Sequence, residues 1–370
     1  MELKDFKEKE GAAAMRSTAI QYVGIDVHQA TLVCAVKDES GRTVMESKVA
    51  TEREAIRAFL GGLRGRLRVA FEEGTQAQWL YDLVRPLAAE VIVCDPRRIA
   101  TKGNKADQID AERIAELLRL GALVAVYHGG SGTRALKEMV RLYEGLVDDT
   151  SRVMLRIRAL YRGGAIESSS RSVYHPAKRT AWLEQITEEG SRFRVEALYQ
   201  QLDALMPLRQ KAKRRMLVEA QRHKACALIQ SVPGIGPIRA AETVAIIGEP
   251  HRFRTKRQLW PYAGLAVVTR TSGEWRVGGN GQFVRSKKRP LTRGLNQNFN
   301  RTLKKIFKAA ARDVTAKDCE LQRWYQGMVE RGMRPELARL TLARKIAAMV
   351  LAIWKKGVPY DPKRLTMQPV

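Results

Sequence analysis

Cysteine is scarce in this chain, and its spacing excludes the frameworks that cysteines usually build. The four cysteines of the 370-residue sequence lie far apart, at Cys34, Cys94, Cys226 and Cys319. There is no Cys-x-x-Cys pair and no Cys/His ligand spacing, so neither a zinc site nor a disulfide scaffold is predicted. This use of cysteine fits a reducing cytoplasm.

Long apolar runs are also missing. No stretch of the sequence approaches the roughly 20 apolar residues that span a bilayer. Residues 1–19 are charged and lack the hydrophobic segment of a signal peptide, so we predict an N-terminal tail. We therefore expect a cytoplasmic protein without a membrane partner.

Basic charge is abundant and unevenly distributed. The chain has 66 Lys+Arg against 39 Asp+Glu, a net charge of +27. Residues 1–130 contain 19 basic and 19 acidic side chains, so the whole excess lies in residues 131–370. A strongly basic surface suits phosphate backbones. On charge alone, a basic ribosomal or chromatin protein is the alternative interpretation.

Residues 20–130 have the pattern of a mixed α/β sheet. Strands are predicted at 21–28, 31–37, 43–49, 67–71 and 91–94, and helices at 52–64, 76–88 and 107–120. Three strands in a meander, followed by alternating helix and strand, indicate one sheet with helices packed on it.

The remaining residues are predicted to be mainly α-helical. Residues 131–225 contain two long, charged helical patterns that indicate a coiled-coil arm, which either mediates assembly or forms a hairpin within one chain. Residues 226–356 predict a C-terminal domain that closes with helices at 290–312, 318–331 and 335–356, and residues 357–370 read as a tail.

Four carboxylates fall where this α/β pattern would bring them together. Asp26 lies in the first strand, Glu72 follows a later strand, and Asp107 and Asp110 share the first turn of a helix. An i,i+3 pair lies on one helix face. Four such oxygen ligands suit two Mg²⁺ ions in phosphodiester chemistry. Glu73 is the alternative to Glu72.

One histidine lies near these acids in the sequence. His28 is expected on the face of its strand opposite Asp26, and we assign it no role at the metal.

The segments around these acids resemble the DEDD domain of IS110-family transposases. The resemblance rests on the motifs Gly24-Ile-Asp-Val, Phe71-Glu-Glu-Gly-Thr, Val93-Cys-Asp-Pro and Lys105-Ala-Asp-Gln-Ile-Asp-Ala. It implies a fold similar to RuvC resolvases and ribonuclease H, with Asp26, Glu72, Asp107 and Asp110 as metal ligands. Ala106 stands where threonine is common in the family.

A second motif predicts a contact to DNA backbone. Val232-Pro-Gly-Ile-Gly-Pro is a helix-hairpin-helix signature, in which Gly234 and Gly236 permit a tight turn and the next helix points free N–H groups at a phosphate. An ordinary Gly/Pro connection between helices is the alternative.

The region from Phe253 to Thr271-Ser-Gly resembles the second half of the same family. The resemblance implies that Ser272 is a nucleophile toward DNA, although from sequence alone it is a turn residue. Six basic residues surround Ser272 in the sequence and could hold the scissile phosphate: Arg270, Arg276, Arg285, Lys287, Lys288 and Arg289. Trp260, Trp275, Phe283 and Trp324 either stack on bases or belong to the core.

The resemblance implies a bacterial transposase, or site-specific recombinase, of an insertion sequence. It would cleave and rejoin double-stranded DNA at element ends and target with Mg²⁺ and a serine nucleophile, guided by an element-encoded bridge RNA. It would act as a homo-oligomer, a dimer or tetramer with a composite site, and associate with the nucleoid when bound to DNA. Two alternatives stay open: a RuvC-like metal-dependent endonuclease without covalent intermediate, and a non-enzymatic architectural binder.

Overall fold

Two compact units make up the chain. The computed structural model describes residues 19–98, 107–128, 131–269, 275–277, 279, 282–285 and 292–362. Contacts divide the chain into residues 1–131 and 132–370, so the second unit contains both the long helices and the C-terminal domain. Within the described ranges, no helix combines the length and apolar character needed to cross a membrane.

The first unit is built on a six-stranded mixed sheet. Its strands are β1 Ile20–Val27, β2 Thr31–Lys37, β3 Thr43–Ala50, β4 Arg66–Glu72, β5 Glu90–Cys94 and β6 Ala125–Val126. The order across the sheet is β3-β2-β1-β4-β5-β6. β1, β2 and β3 pair antiparallel, β4 joins β1 and β5 in parallel, and β6 is antiparallel to β5. This confirms the expected meander and mixed α/β sheet, an arrangement consistent with a ribonuclease H-like domain.

Helices cover both faces of this sheet. α1 (Arg53–Gly62) and α2 (Ala77–Val84) contribute to a core with alternate strand residues such as Val23, Ile25 and Phe71. α3 (Asp107–Arg119) packs on the other face. The central strands are therefore buried on both sides, which is why they read as nearly continuous apolar runs.

Two long antiparallel helices begin the second unit. α4 (Arg134–Gly163) packs along α6 (Glu189–Gln221), and the short α5 (Arg179–Leu183) lies between them in sequence. One end of the pair is buried around Tyr161 and Tyr199, and the other end joins the core of the C-terminal helices. Pro207 lies inside α6, so it does not end the helix there.

The C-terminal part of this unit is mainly helical. Its helices are α7 Lys224–Gln230, α8 Pro237–Ile247, α9 Lys256–Tyr262, α10 Arg301–Val314, α11 Glu320–Glu330 and α12 Pro335–Lys356. Four short strands form two pairs: β7 Val267–Thr269 with β10 Thr292–Leu295, and β8 Trp275–Val277 with β9 Phe283–Arg285.

One helix boundary differs from the expectation. A helix was predicted from residue 290, but residues 292–295 form β10 and the helix begins only at Arg301. Asn300 fixes this start, because its side chain accepts a hydrogen bond from the backbone N–H of Leu303 at 2.9 Å.

Candidate active site

Two of the predicted acids lie at the carboxyl ends of neighbouring parallel strands. β1 and β4 pair in register up to Ile25 opposite Phe71. Asp26 and Glu72 are the next residues of the two strands, and opposed residues of parallel strands point to the same face. With strands about 4.8 Å apart, both carboxylates lie at the carboxyl edge of the sheet on one side.

Helix α3 covers that same face at very close range. A Cβ atom on Gly24 would lie 2.1 Å from the carbonyl oxygen of Ala111 and 2.4 Å from the backbone nitrogen of Ala115. Gly24 precedes Asp26 by two residues and shares its face. Only glycine allows the helix backbone to touch the strand here.

The direction of α3 places its first turn at the acidic edge. Its later residues Ile114 and Leu118 cluster with Tyr22, near the start of β1. The helix therefore runs antiparallel to β1, and its N-terminal turn lies toward Asp26. Asp107, whose backbone alone is described, begins this turn, and half-buried Asp110 closes it.

Glu72 and Glu73 have different surroundings. Glu72 pairs in register with Cys94, and burial together with the negative charge of Glu72 raises the pKa of Cys94 to about 12. Glu73 points to the other face and forms a hydrogen bond with Nε2 of His128, whose Nδ1 lies 3.1 Å from the side chain of Gln78. Glu73 is thus engaged away from Asp26.

His28 lies beside Asp26, which corrects the expectation from sequence. Its Nε2 is 3.2 Å from Oδ2 of Asp26. The assignment to opposite faces was wrong because residues i and i+2 of a strand point to the same side. That rule, applied to the motif Asp26-Val-His, would have identified the neighbour.

The predicted carboxylates are chemically suited to bind a divalent metal ion. Carboxylate oxygens from β1, β4 and the start of α3 are the ligands that Mg²⁺ prefers. Among the fully described side chains, no group of three His, Cys, Asp or Glu is close enough to hold an ion. The remaining predicted ligand, Asp107, is described only by its backbone.

In the second unit, the predicted turn joins α7 to α8. Gly234 has a φ of +83°, and a Cβ there would lie 2.7 Å from the carbonyl oxygen of Ala310. Gly236 is exposed and immediately precedes Pro237, the first residue of α8. Arg239 secures the turn, since its Nη1 donates to the Gly234 carbonyl at 2.6 Å and to Asp313 at 2.7 Å.

The predicted serine and several cations lie outside the described residues. These are Arg270, Ser272, Lys287, Lys288 and Arg289. The backbones of Arg276 and Arg285 lie on paired strands, with Arg276 opposite Val284 and Arg285 opposite Trp275. The two arginines are therefore brought to adjacent positions of one hairpin.

Two family models match the chain in the order expected. Residues 23–163 match a model described as Transposase, DEDD_Tnp_IS110. Residues 226–326 match Transposase IS116/IS110/IS902 family. The chain belongs to the IS110 family of transposases. It is therefore an enzyme that acts on DNA, and the architectural binder is excluded.

Named relatives agree with this assignment. The transposase is 22% identical to the transposase for insertion sequence element IS1111A of Coxiella burnetii, over 92% of this chain and 91% of the relative. It is 26% identical to putative transposase y4qE of Sinorhizobium fredii, over 71% of this chain and 67% of that protein. A protein of insertion element IS116 from Streptomyces clavuligerus is 30% identical over 36% of this chain and 30% of its own length.

Four aromatic residues were predicted either to stack on bases or to belong to the core, and the side chains of two of them, Trp260 and Trp324, are described. Trp260 and Trp324 are partly buried against the C-terminal core. The indole N–H of Trp260 donates to the carbonyl oxygen of Arg344 at 3.1 Å. This favours the core interpretation for Trp260, whereas the side chains of Trp275 and Phe283 lie outside the description.

Proposed function

We propose that this transposase cleaves and transfers DNA strands with two Mg²⁺ ions held by Asp26, Glu72, Asp107 and Asp110. The observation that carries the proposal is the register of β1 and β4, which runs to Ile25 opposite Phe71, directly before Asp26 and Glu72. Bound there, Mg²⁺ would polarise the scissile phosphate and neutralise developing charge.

We assign the nucleophile to Ser272. Its hydroxyl would lose its proton as Oγ bonds to the phosphorus, while the bond from phosphorus to the leaving deoxyribose oxygen breaks and that oxygen is protonated. A hydroxyl of the new strand would reverse the step, so the number of phosphoester bonds is conserved. Six cations would hold the phosphate: Arg270, Arg276, Arg285, Lys287, Lys288 and Arg289.

The turn between α7 and α8 would hold duplex DNA by its backbone as a helix-hairpin-helix. The positive φ of Gly234 and the exposure of Gly236 at the start of an eleven-residue helix support this role. Contacts of this kind position DNA without reading its sequence.

Sequence choice would then come from an element-encoded bridge RNA. The basic excess beyond residue 130 supplies surface for it. The α4–α6 pair would form a coiled-coil arm that assembles two or four protomers, so that the acids and Ser272 meet in a composite site. When bound to DNA, the protein would lie at the bacterial nucleoid.

A strand-exchange assay tests the chemistry. Purified protein, its flanking RNA and element-end DNA should yield joined products only when Mg²⁺ is added. Ser272→Ala should abolish both the joined product and the covalent protein–DNA adduct seen on a denaturing gel. Cleavage by Ser272→Ala at the wild-type rate would favour the RuvC-like endonuclease that uses water.

The guide requires its own experiment. The protein is purified from cells that carry the element with its flanking DNA, and co-purifying RNA is sequenced. A discrete RNA from the element end supports guidance, and recovery of no discrete species removes the bridge RNA from the proposal.

A further inference from the structure

Three cationic residues lie in the region where α9 packs on α12. Lys256 begins α9, and Arg344 and Lys345 are consecutive in α12. Trp260 links the two helices through its hydrogen bond to the Arg344 carbonyl. Nζ of Lys256 lies 5.8 Å from the centre of the Trp260 ring, so this lysine lies at the same junction.

Arg344 is partly buried with donor capacity left over. Its Nε donates to the carbonyl oxygen of Leu265 at 2.6 Å. Its Nη2 is buried and has no hydrogen-bond acceptor among the described residues. Burial lowers the pKa of the guanidinium. An unsatisfied charged donor of this kind is costly, so an acceptor is expected to approach it.

Lys345 adds a second half-buried cation. Its Nζ lies 5.7 Å from the centre of the Trp324 ring. Burial, and then the nearby positive charge of Lys256, lower the pKa of its ammonium. Two like charges held together and partly removed from water repel one another unless an anion joins them.

Arg179 and Arg239, two other half-buried arginines of the same unit, are paired with carboxylates of the chain. Arg179 donates to both carboxylate oxygens of Asp203, at 2.6 and 2.7 Å. Arg239 donates to Asp313. For Arg344 and Lys345 burial lowers the pKa, and no carboxylate among the described residues offsets it. The cation cluster of Lys256, Arg344 and Lys345 therefore differs from a structural ion pair.

We propose that the cation cluster of Lys256, Arg344 and Lys345 is a binding site for a backbone phosphate of the DNA substrate. Guanidinium and ammonium groups are the donors that bind phosphate oxygens, and Arg344 is held in a fixed direction by its bond to Leu265. The inference deepens the DNA-binding part of the proposed function. It is independent of the acidic site and of Ser272.

Salt-dependent DNA binding tests the cation cluster without catalysis. Affinity of the full-length protein for a fluorescent 30-base-pair duplex is measured by anisotropy in EDTA over a range of KCl concentrations. Lys256→Gln/Lys345→Gln should lower the slope of log affinity against log salt by about 1, the loss of one phosphate contact. At about 0.1 M salt this corresponds to roughly tenfold weaker binding. These lysines are chosen because changing Arg344 would also break its bond to Leu265.

The matched control removes two cations of the same helix. Arg334 and Arg339 are exposed near the start of α12, and Arg339 pairs with Glu336. Arg334→Gln/Arg339→Gln should leave the salt slope within about 0.3 of the wild-type value. An unchanged slope in the lysine variant, or an equal fall in the control, would overturn the proposal. A loss confined to an RNA probe would also overturn it.

Chemical labelling of the wild-type protein gives a second readout. A lowered pKa leaves more of the Lys345 amine neutral, so an amine-acetylating reagent should modify it readily. Saturating duplex DNA should protect Lys345 several-fold, as measured by mass spectrometry, while exposed Lys48 of the charge-balanced first unit keeps its reactivity. Equal modification of Lys345 with and without DNA would refute the site.

Discussion

The ammonium of Lys37 lies 2.8 Å from Oε1 of Glu112 and joins the β2–β3 hairpin to helix α3. Lys37 is buried and also donates to the hydroxyl of Thr43 at 3.0 Å and the carbonyl of Gly41 at 3.2 Å. Every donor of this cation is thus satisfied. The helix that begins with Asp107 is fixed to the sheet through Glu112, near the middle of the helix.

Replacing Lys37 should loosen α3 and change the acid stability of the protein. Lys37→Met removes the ammonium that donates to Glu112 and Thr43 and leaves only the Thr43 hydroxyl, 2.8 Å away, as donor to Glu112. We therefore expect a loss of about 1–2 kcal/mol in the free energy of unfolding at pH 7. Lys37 and Thr43 hold the pKa of Glu112 below its usual value. This stabilisation is present above the ordinary glutamate pKa and is lost as pH falls through the lowered one.

Thermal unfolding between pH 3 and pH 7 measures this difference. The wild-type and Lys37→Met melting temperatures should converge at the acid end. An equal gap between them at every pH would contradict the assignment. The matched control is Lys48→Met on exposed β3, which should shift the melting temperature little.

The contact of Gly24 with α3 predicts a severe effect from a single methyl group. Gly24→Ala places Cβ against backbone atoms of Ala111 and Ala115, which cannot rotate away. Overpacking of this kind costs about 1–3 kcal/mol or more, and relief requires α3 to move off the sheet. DNA cleavage should fall with stability, because α3 carries two of the four acids.

Gly61→Ala is the control for the Gly24 variant. Gly61 lies in α1, and a Cβ there meets nothing within 4 Å. Alanine in a helix should stabilise the protein by about 0.5–1 kcal/mol. Urea unfolding measures the free energy of unfolding of both variants. A Gly24→Ala protein as stable as the wild type would refute the close packing.

The sequence predicted the sheet well because its strands are buried and sharply bounded. Gly24-Ile-Asp-Val and Phe71-Glu-Glu show both apolar runs, so Asp26 could be placed in the first strand and Glu72 directly after a later one. The side-by-side register of the two strands is a tertiary property that the sequence alone does not contain.

Three features were not predicted from the sequence: the position of His28, the short strand β10 and the cation cluster. His28 was misplaced through an error in strand alternation. β10 was taken for helix because Thr292–Leu295 is too short to show a period of two. The cation cluster joins Lys256 to residues almost ninety positions later, and nothing in local pattern marks that meeting.

Paired carboxamide variants at residues 72 and 73 test which glutamate serves the metal. Glu72→Gln should reduce strand cleavage at least about a hundredfold, since removing a metal ligand costs several kcal/mol of transition-state stabilisation. Glu73→Gln should retain cleavage within about threefold, because Glu73 is paired with His128 on the other face. Calorimetric titration with Mn²⁺ should show weakened binding for Glu72→Gln alone. The reverse pattern would assign the site to Glu73.

Buried Glu242 makes the folding stability of the second unit depend on pH. It lies in α8 and is only 5% exposed. Burial raises its pKa to about 7, with Lys305 opposing and Glu144 adding to the shift. The folded protein therefore holds this proton more tightly than the unfolded chain. Stability is greatest below the ordinary glutamate pKa near 4.5 and is lost as pH rises from there to about 7.

Glu242→Gln mimics the protonated side chain with almost the same shape. It should remove this pH dependence and raise the melting temperature above pH 7, where wild-type Glu242 carries a buried charge. Near pH 4.5 the two proteins should unfold at similar temperatures. Glu249→Gln, in the loop after the same helix, supplies the control and should follow the wild-type pH profile. If Glu242→Gln is less stable than wild type at pH 8.5, the carboxylate is ionised and stabilised by Lys305, and burial is not the dominant effect.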